Sequence, residues 1–164
     1  MNGSFSISCT RNATHTSFRK SGKASDMGRI SAYLTSNGNC RQAMQFYQAC
    51  LGGELCVREL GDMPFGKAMP AGMRHAILQA TLTKGSLELI ATDLPHDDRL
   101  RRGNAITLML HCDTEAELRR CYAKLSVESR TAQPVSMAED GGSSAYLTDR
   151  FGNRWMLVCP SDMG

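Results

Sequence analysis

The sequence predicts an α+β fold in which one βαβββ module occurs twice. Three observations carry this. Within Ser36–Glu54, the residues Ala43, Phe46, Tyr47, Cys50 and Leu51 recur at steps of three and four, the stripe of an amphipathic helix. The pattern returns 75 residues later, where Tyr47 becomes Tyr122, Phe46 becomes Cys121, Ala43 becomes Leu118 and Leu34 becomes Met109. Between the two copies the period changes to two, the mark of strands. A single recurrence at this spacing indicates a duplicated module rather than a solenoid, whose periods run about 20 to 50 residues.

Each element follows in order. Ile30–Thr35 reads as a strand, closed by the turn Ser36-Asn37-Gly38-Asn39. Asn39 suits the N-cap of the helix, since its side chain accepts from free backbone N–H groups. Gly52-Gly53 end that helix, supplying the left-handed backbone of a helix stop. Glu54–Leu60 is a second strand, and Gly61–Gly72, with Pro64 and Pro70, is a loop. Arg74–Thr83 alternates, with Ala76, Leu78, Ala80 and Leu82 on one face and His75, Ile77, Gln79, Thr81 and Thr83 on the other. After the Lys84-Gly85 turn, Leu87, Leu89 and Ala91 share a face opposite Glu88, Ile90 and Thr92. In each strand the apolar face belongs under a helix. The second face mixes polar and apolar residues, which suits a ligand cavity.

Residues 93–103 link modules 29–92 and 104–160, which together form one domain, 29–160. In the second module Asn104–Cys112 is a strand with Ile106, Leu108 and Leu110 on one face and Thr107, Met109 and His111 on the other. Thr114-Glu115-Ala116-Glu117 matches a capping box, and Leu118, Cys121, Tyr122 and Leu125 form the helix stripe behind it. Strands follow near Arg130–Val135, at Ser143–Thr148 and, after an Asp149–Asn153 turn, at Arg154–Cys159.

Composition narrows the function classes. Of the 164 residues, 41% are hydrophobic and 21% charged, as in ordinary globular proteins, and no apolar run reaches membrane-spanning length. The net charge of +3 resides in residues 1–26, where Arg11, Arg19, Lys20 and Lys23 face Asp26 alone. The remainder is balanced, so nucleic acid and acidic membranes are not expected partners. Arg99, Arg101 and Arg102 form the one local basic cluster, next to Asp97 and Asp98. Seven cysteines, an odd number without a CxxC pair, argue against a disulfide framework or zinc finger and for a reducing, cytoplasmic setting. Residues 1–28, rich in Ser, Thr, Asn and Gly, read as a disordered or weakly ordered leader. A transit peptide and a translated extension before a start at Met27 are the other readings of it.

Six motifs in order then carry a resemblance. They are Tyr33-Leu34 with Asn37-Gly38-Asn39-Cys40, Phe46-Tyr47, Leu51-Gly52-Gly53-Glu54, Gly61-Asp62-Met63-Pro64, His75-Ala76, and Thr148-Asp149-Arg150-Phe151-Gly152 running to Trp155-Met156. From residue 29 to about 160 the chain resembles the vicinal oxygen chelate superfamily of glyoxalases, bleomycin-resistance proteins and dioxygenases. It is most similar to the PhnB-like branch, often labelled 3-demethylubiquinone methyltransferase-like. The resemblance implies a mixed sheet curled around a cavity, and a homodimer.

In metal-using relatives, two ligands per module come from the cavity face. Carried over, those positions fall on Ala32, on Glu88, on Thr107 (Ile106 if the register slips) and on Met156. Glu88 alone has metal-binding chemistry, and one carboxylate does not capture a divalent ion, so neither a metal nor another cofactor is expected. No glycine-rich βα turn of a nucleotide or methyl-donor site is present. Tyr33 and Trp155 are assigned to the helix-covered core. Met63, Met69 and Met73 with Phe65 make an adaptable loop or lid.

The expected function is a non-metal, small-molecule binding or sequestering protein. Its cavity candidates are His75, Ile77, Gln79, Glu88, Ile90, Thr107, Met109, His111 and Met156. The histidines are read as structural hydrogen-bonding residues, or as polar anchors or a general base. A metal-dependent lyase, isomerase or dioxygenase using Glu88 with His75 or His111 remains the alternative, and a dimerising accessory subunit without ligand the third reading. Whether the chain is an enzyme is left open.

Overall fold

The computed structural model describes residues 30–93, 100–137 and 141–161; the leader, the centre of the linker and Arg99 lie outside them. The fold is α+β. Its eight strands form two four-stranded mixed sheets with one topology, β1-β4-β3-β2 and β5-β8-β7-β6. The chain order is β1 (Ala32–Ser36), α1 (Cys40–Leu51), β2 (Glu54–Glu59), α2 (Ala71–Arg74), β3 (Ile77–Lys84), β4 (Leu87–Asp93), β5 (Leu108–His111), α3 (Glu115–Leu125), β6 (Thr131–Met137), β7 (Ser143–Thr148) and β8 (Arg154–Cys159). Two single 3-10 turns, Leu60–Asp62 and Gly66–Ala68, occupy the loop before α2.

The first compact unit joins residues up to Arg41 to Glu54–Pro95. In it β1 runs parallel to β4, and β3 is antiparallel to both β2 and β4. Paired residues project to the same side of a sheet, so the register sorts the faces. Leu34 with Ala91, Leu89 with Leu82, Ala80 with Ala91, and Leu55 with Leu82 share the covered side. Leu55, Ala80, Leu82, Leu89 and Ala91 are all buried there. Asp93, at the end of β4, is buried too. Its carboxylate accepts the Cys40 N–H at 2.9 Å and the Ile77 N–H at 3.0 Å, capping the start of α1 and fixing the start of β3 together. Asn39 stands directly before the helix, but the first helical amide is met by Asp93, 53 positions away, a pairing no local pattern signals.

The second unit joins Gln42–Gly53 to the chain from His96 onward. Most of α1, though it lies in the first module by sequence, therefore clusters with the second sheet. Gly52 and Gly53 end it with φ of 79° and 98°, as their place after the apolar stripe requires. The α3 capping box forms: Thr114 Oγ accepts from the Glu117 N–H, while the Glu117 carboxylate reaches back to the Asp113 N–H. Leu118, Cys121 and Leu125 bury the α3 stripe, and Ala145, Leu147, Trp155 and Leu157 bury one side of the sheet. β6 is an edge strand, and its pairing with β7 shifts register between Gln133 and Ser136, where Pro134 offers no N–H to the ladder.

Three expectations need correction. The helices start 75 residues apart, at Cys40 and Glu115. The strand faces do not follow that offset: Leu34 pairs with buried Ala91, whereas Met109 is 53% exposed and pairs with Met156. Side chains alternate, so an odd offset turns a strand over and the strands must repeat at an even one. For the same reason Tyr33, assigned to the core, is 59% exposed and stands beside Ile90 on the open side. Lastly, β3 begins at Ile77; Arg74 ends the short helix α2, started by Pro70, and His75 is its C-cap.

Candidate functional site

The open side of the first sheet carries Tyr33 and Thr35 from β1, Glu88, Ile90 and Thr92 from β4, and Gln79, Thr81 and Thr83 from β3. Thr81 pairs with Ile90 and Thr83 with Glu88, so hydroxyls flank an aliphatic and a carboxylate. Three of the cavity candidates, Gln79, Glu88 and Ile90, lie on this face. Two do not. Ile77 is 1% exposed and belongs to the core, because β3 carries an extra residue where Arg58 opposes Gln79 and Glu59 opposes Ile77. His75 stands off the sheet, its imidazole Nδ1 3.1 Å from Glu59 Oε2, and Glu59 also binds the Arg41 guanidinium. His75 lines a separate cavity of about 250 Å³ with Asn37, Gly38, Gly72, Met73, Ala76 and Asp93.

On the second sheet the open side holds Met109 and His111 of β5, Met156 and Val158 of β8, and Tyr146 of β7. Met109, Met156 and Tyr146 lie on one level across three strands. Tyr146 is 42% exposed, and His111 is exposed. Thr107 falls just before β5 and is exposed.

Within the first sheet the carried-over metal positions do not converge. Ala32 pairs with Leu89, which puts it on the opposite side of the sheet from Glu88. The residue that meets Glu88 is Ser31, whose Oγ donates to Glu88 Oε2 at 2.5 Å. Among the described residues, no three His, Cys, Asp or Glu side chains cluster as a metal site would require. Hydroxyl, thioether and a single carboxylate do not fit a divalent ion.

A buried polar network, unforeseen from sequence, lies behind the second sheet. Asp149 is fully buried, and its carboxylate accepts from Tyr47 Oη at 2.7 Å, Trp155 Nε1 at 2.8 Å, and the Phe151 and Asn153 N–H groups at 2.9 Å. Asn153 Nδ2 donates to the Tyr47 oxygen at 2.5 Å. Burial first, and the adjacent Asp149 carboxylate second, push the Tyr47 phenol well up, so it stays a donor. Aromatic edges seal the network, with the Tyr47 and Trp155 centroids 5.5 Å apart and the Phe46 and Phe151 centroids 5.6 Å apart. Arg150 lies 4.3 Å over Phe46. The Tyr47, Trp155 and Asp149 polar atoms are paired with one another, which marks the network as structural; the buried Arg150 Nε beside it has no hydrogen-bond partner among the described residues. The Asp149–Asn153 turn was legible; the carboxylate inside it was not.

A family model described as the Glyoxalase/Bleomycin resistance protein/Dioxygenase superfamily matches residues 29–157. The chain belongs to this superfamily. Among solved structures, protein PA1353 from Pseudomonas aeruginosa is 34% identical, with 83% of this chain and all of that one covered and a TM-score of 0.70. A putative 3-demethylubiquinone-9 3-methyltransferase, the PhnB protein from Bacillus cereus, is 21% identical over 80% of this chain and 99% of that one, with a TM-score of 0.66. The protein YjdN of Escherichia coli strain K12 is 25% identical over 138 residues, 78% of this chain and 92% of that protein. PhnB-like proteins are thus among the superfamily's structural neighbours of this chain. Among the described residues no helix is long and apolar enough to cross a membrane.

Proposed function

We propose that this member of the glyoxalase and bleomycin-resistance superfamily binds a small organic molecule without a metal, on the open faces of its sheets, and works as a homodimer. One observation carries the reading: Tyr33, Met109 and Tyr146 sit on well-formed strands yet are 59%, 53% and 42% exposed. Large apolar groups held rigidly but left wet favour a ligand that covers them. On the first sheet Thr81, Gln79 and Glu88, and on the second sheet His111, offer sparse polar contacts that orient a ligand rather than transform it. The methyltransferase in the PhnB relative's name does not transfer, since the chain carries no nucleotide-type glycine turn.

A thermal-shift panel of aromatic metabolites and antibiotics tests the reading. A ligand at a hundred times its Kd stabilises by about 2.7 kcal/mol, which raises Tm by roughly 5 to 10 °C for a chain of this size. Metal analysis of protein purified without chelator runs alongside. A stoichiometric divalent ion that is lost in Glu88→Ala overturns the reading in favour of the metal enzyme. Sedimentation of the purified protein tests the dimer.

A further inference from the structure

Arg102, singled out in the sequence as part of a basic cluster, meets Arg130 at the turn before β8. The meeting point is Gly152, buried and with a φ of +84°. A Cβ built there would lie 2.8 Å from Arg102 Cδ, 3.1 Å from Arg130 Nη1 and 3.2 Å from Arg130 Cζ. Both arginines therefore close on one point of bare backbone that any side chain would fill. Asn153 Oδ1 accepts from Arg102 Nη1 at 2.6 Å and sets the direction of that guanidinium. Arg130 is anchored by its backbone, its N–H donating to the Thr148 carbonyl at 2.8 Å, while its side chain is exposed. The carboxylate nearest to it in sequence, Glu128, pairs with Arg150 at 2.8 Å. Arg101, also exposed, adds a third positive charge beside Arg102.

The Arg130 guanidinium and the Arg102 side chain meet over Gly152 carrying like charge, and an oxyanion beside both is attracted to each. Planar forks of N–H donors match the oxygens of a phosphate better than a lysine would. We propose that Arg102 and Arg130, closing over Gly152, form a binding site for a phosphate group. The site is separate from the open sheet faces, so it does not depend on the ligand read there. It takes either free phosphate or the phosphate of an organic monoester.

The test is isothermal titration of the full chain with inorganic phosphate and with phenyl phosphate, against sodium chloride at matched ionic strength. The variants are Arg130→Gln and Arg130→Lys; Arg130 is exposed, and near-ultraviolet circular dichroism checks that both keep the fold. The expected result is saturable phosphate binding weakened at least tenfold in Arg130→Gln and less in Arg130→Lys. Tighter binding of phenyl phosphate assigns the site to a monoester; tighter binding of inorganic phosphate assigns it to the free anion. Heat no greater than that of chloride, or equal affinity in Arg130→Gln, overturns the proposal.

Discussion

The Tyr47 hydroxyl donates to Asp149 Oδ2 at 2.7 Å, joining the middle of the first helix to a turn 102 residues later. This bond, with the Trp155 indole on the same oxygen, ties α1 to the second sheet by a polar contact that water does not reach. Removing the Asp149 carboxylate strands the Tyr47 and Trp155 donors, whereas removing the Tyr47 hydroxyl leaves Asp149 with its other donors. Tyr47→Phe deletes one donor to a buried carboxylate and is expected to cost about 1–3 kcal/mol. Asp149→Asn is expected to cost more, because an amide nitrogen then faces N–H donors it cannot accept from. Urea denaturation of both variants gives the order; a smaller loss for Asp149→Asn would show that the network is not acceptor-limited.

Asp93 carries two loads at once, the Cys40 amide and the Ile77 amide. Asp93→Ala should destabilise by about 1–3 kcal/mol. The signature is local. Hydrogen exchange should speed up at Cys40 and Ile77 together, while the amides of α3 slow or hold; protection unchanged at either of the two amides would count against a shared cap.

The thiols give a pH dependence with a definite sign. Burial pushes the Cys40 and Cys112 thiols up to about 12 and the Cys50 thiol up to about 11 from an ordinary 9.0, and Tyr47 moves the same way. The folded state holds these protons longer than the unfolded chain. Their contribution is therefore complete below pH 9 and is lost as the pH climbs from 9 toward about 12. Each thiol is expected to forfeit on the order of 1 kcal/mol between pH 8 and 10. Urea midpoints measured at pH 8, 9 and 10 check this; a flat profile rejects it. In a Cys9→Ser background at pH 8, Cys56, half-buried, should react with a thiol reagent well before the buried cysteines.

Tyr33 and Met109 separate binding from folding. Both are exposed, so Tyr33→Ser and Met109→Ser should each change stability by less than about 0.5 kcal/mol. Each variant should reduce the ligand-induced rise in Tm for a ligand bound on its own sheet. Loss of stability without ligand would instead identify them as packing residues.

Local patterns showed most elements well: the long helices α1 and α3, the glycine stop, the capping box and the hairpin turns stand in the sequence as they stand in the structure, while the short α2 does not. The faces of β8 were equally legible, with Trp155 buried and Met156 on the open side beside Met109. What failed was parity. The 75-residue offset held for the helices, where one residue rotates a side chain by about 100°, but in a strand one residue turns it through half a circle. That slip put Ala32 rather than Ser31 beside Glu88 and placed Tyr33 in the core. Arg74 to Ala76 alternate as a strand does, yet a short helix capped by Pro70 ends there, so His75 caps a helix instead of entering β3. Asp93 and Asp149 were invisible for another reason: their partners lie 53 and 102 residues away, and no local pattern encodes such distances.

The broken pairing of β6 bears on abundance. On the binding function proposed above, one molecule holds one ligand, so the protein would work at concentrations comparable to its target. High concentration is where exposed sheet edges become dangerous, and the edge here is interrupted at Pro134 and Val135, which denies a neighbouring chain a continuous row of partners. The irregularity that weakens one strand thus also blunts an edge along which chain after chain could otherwise add without end.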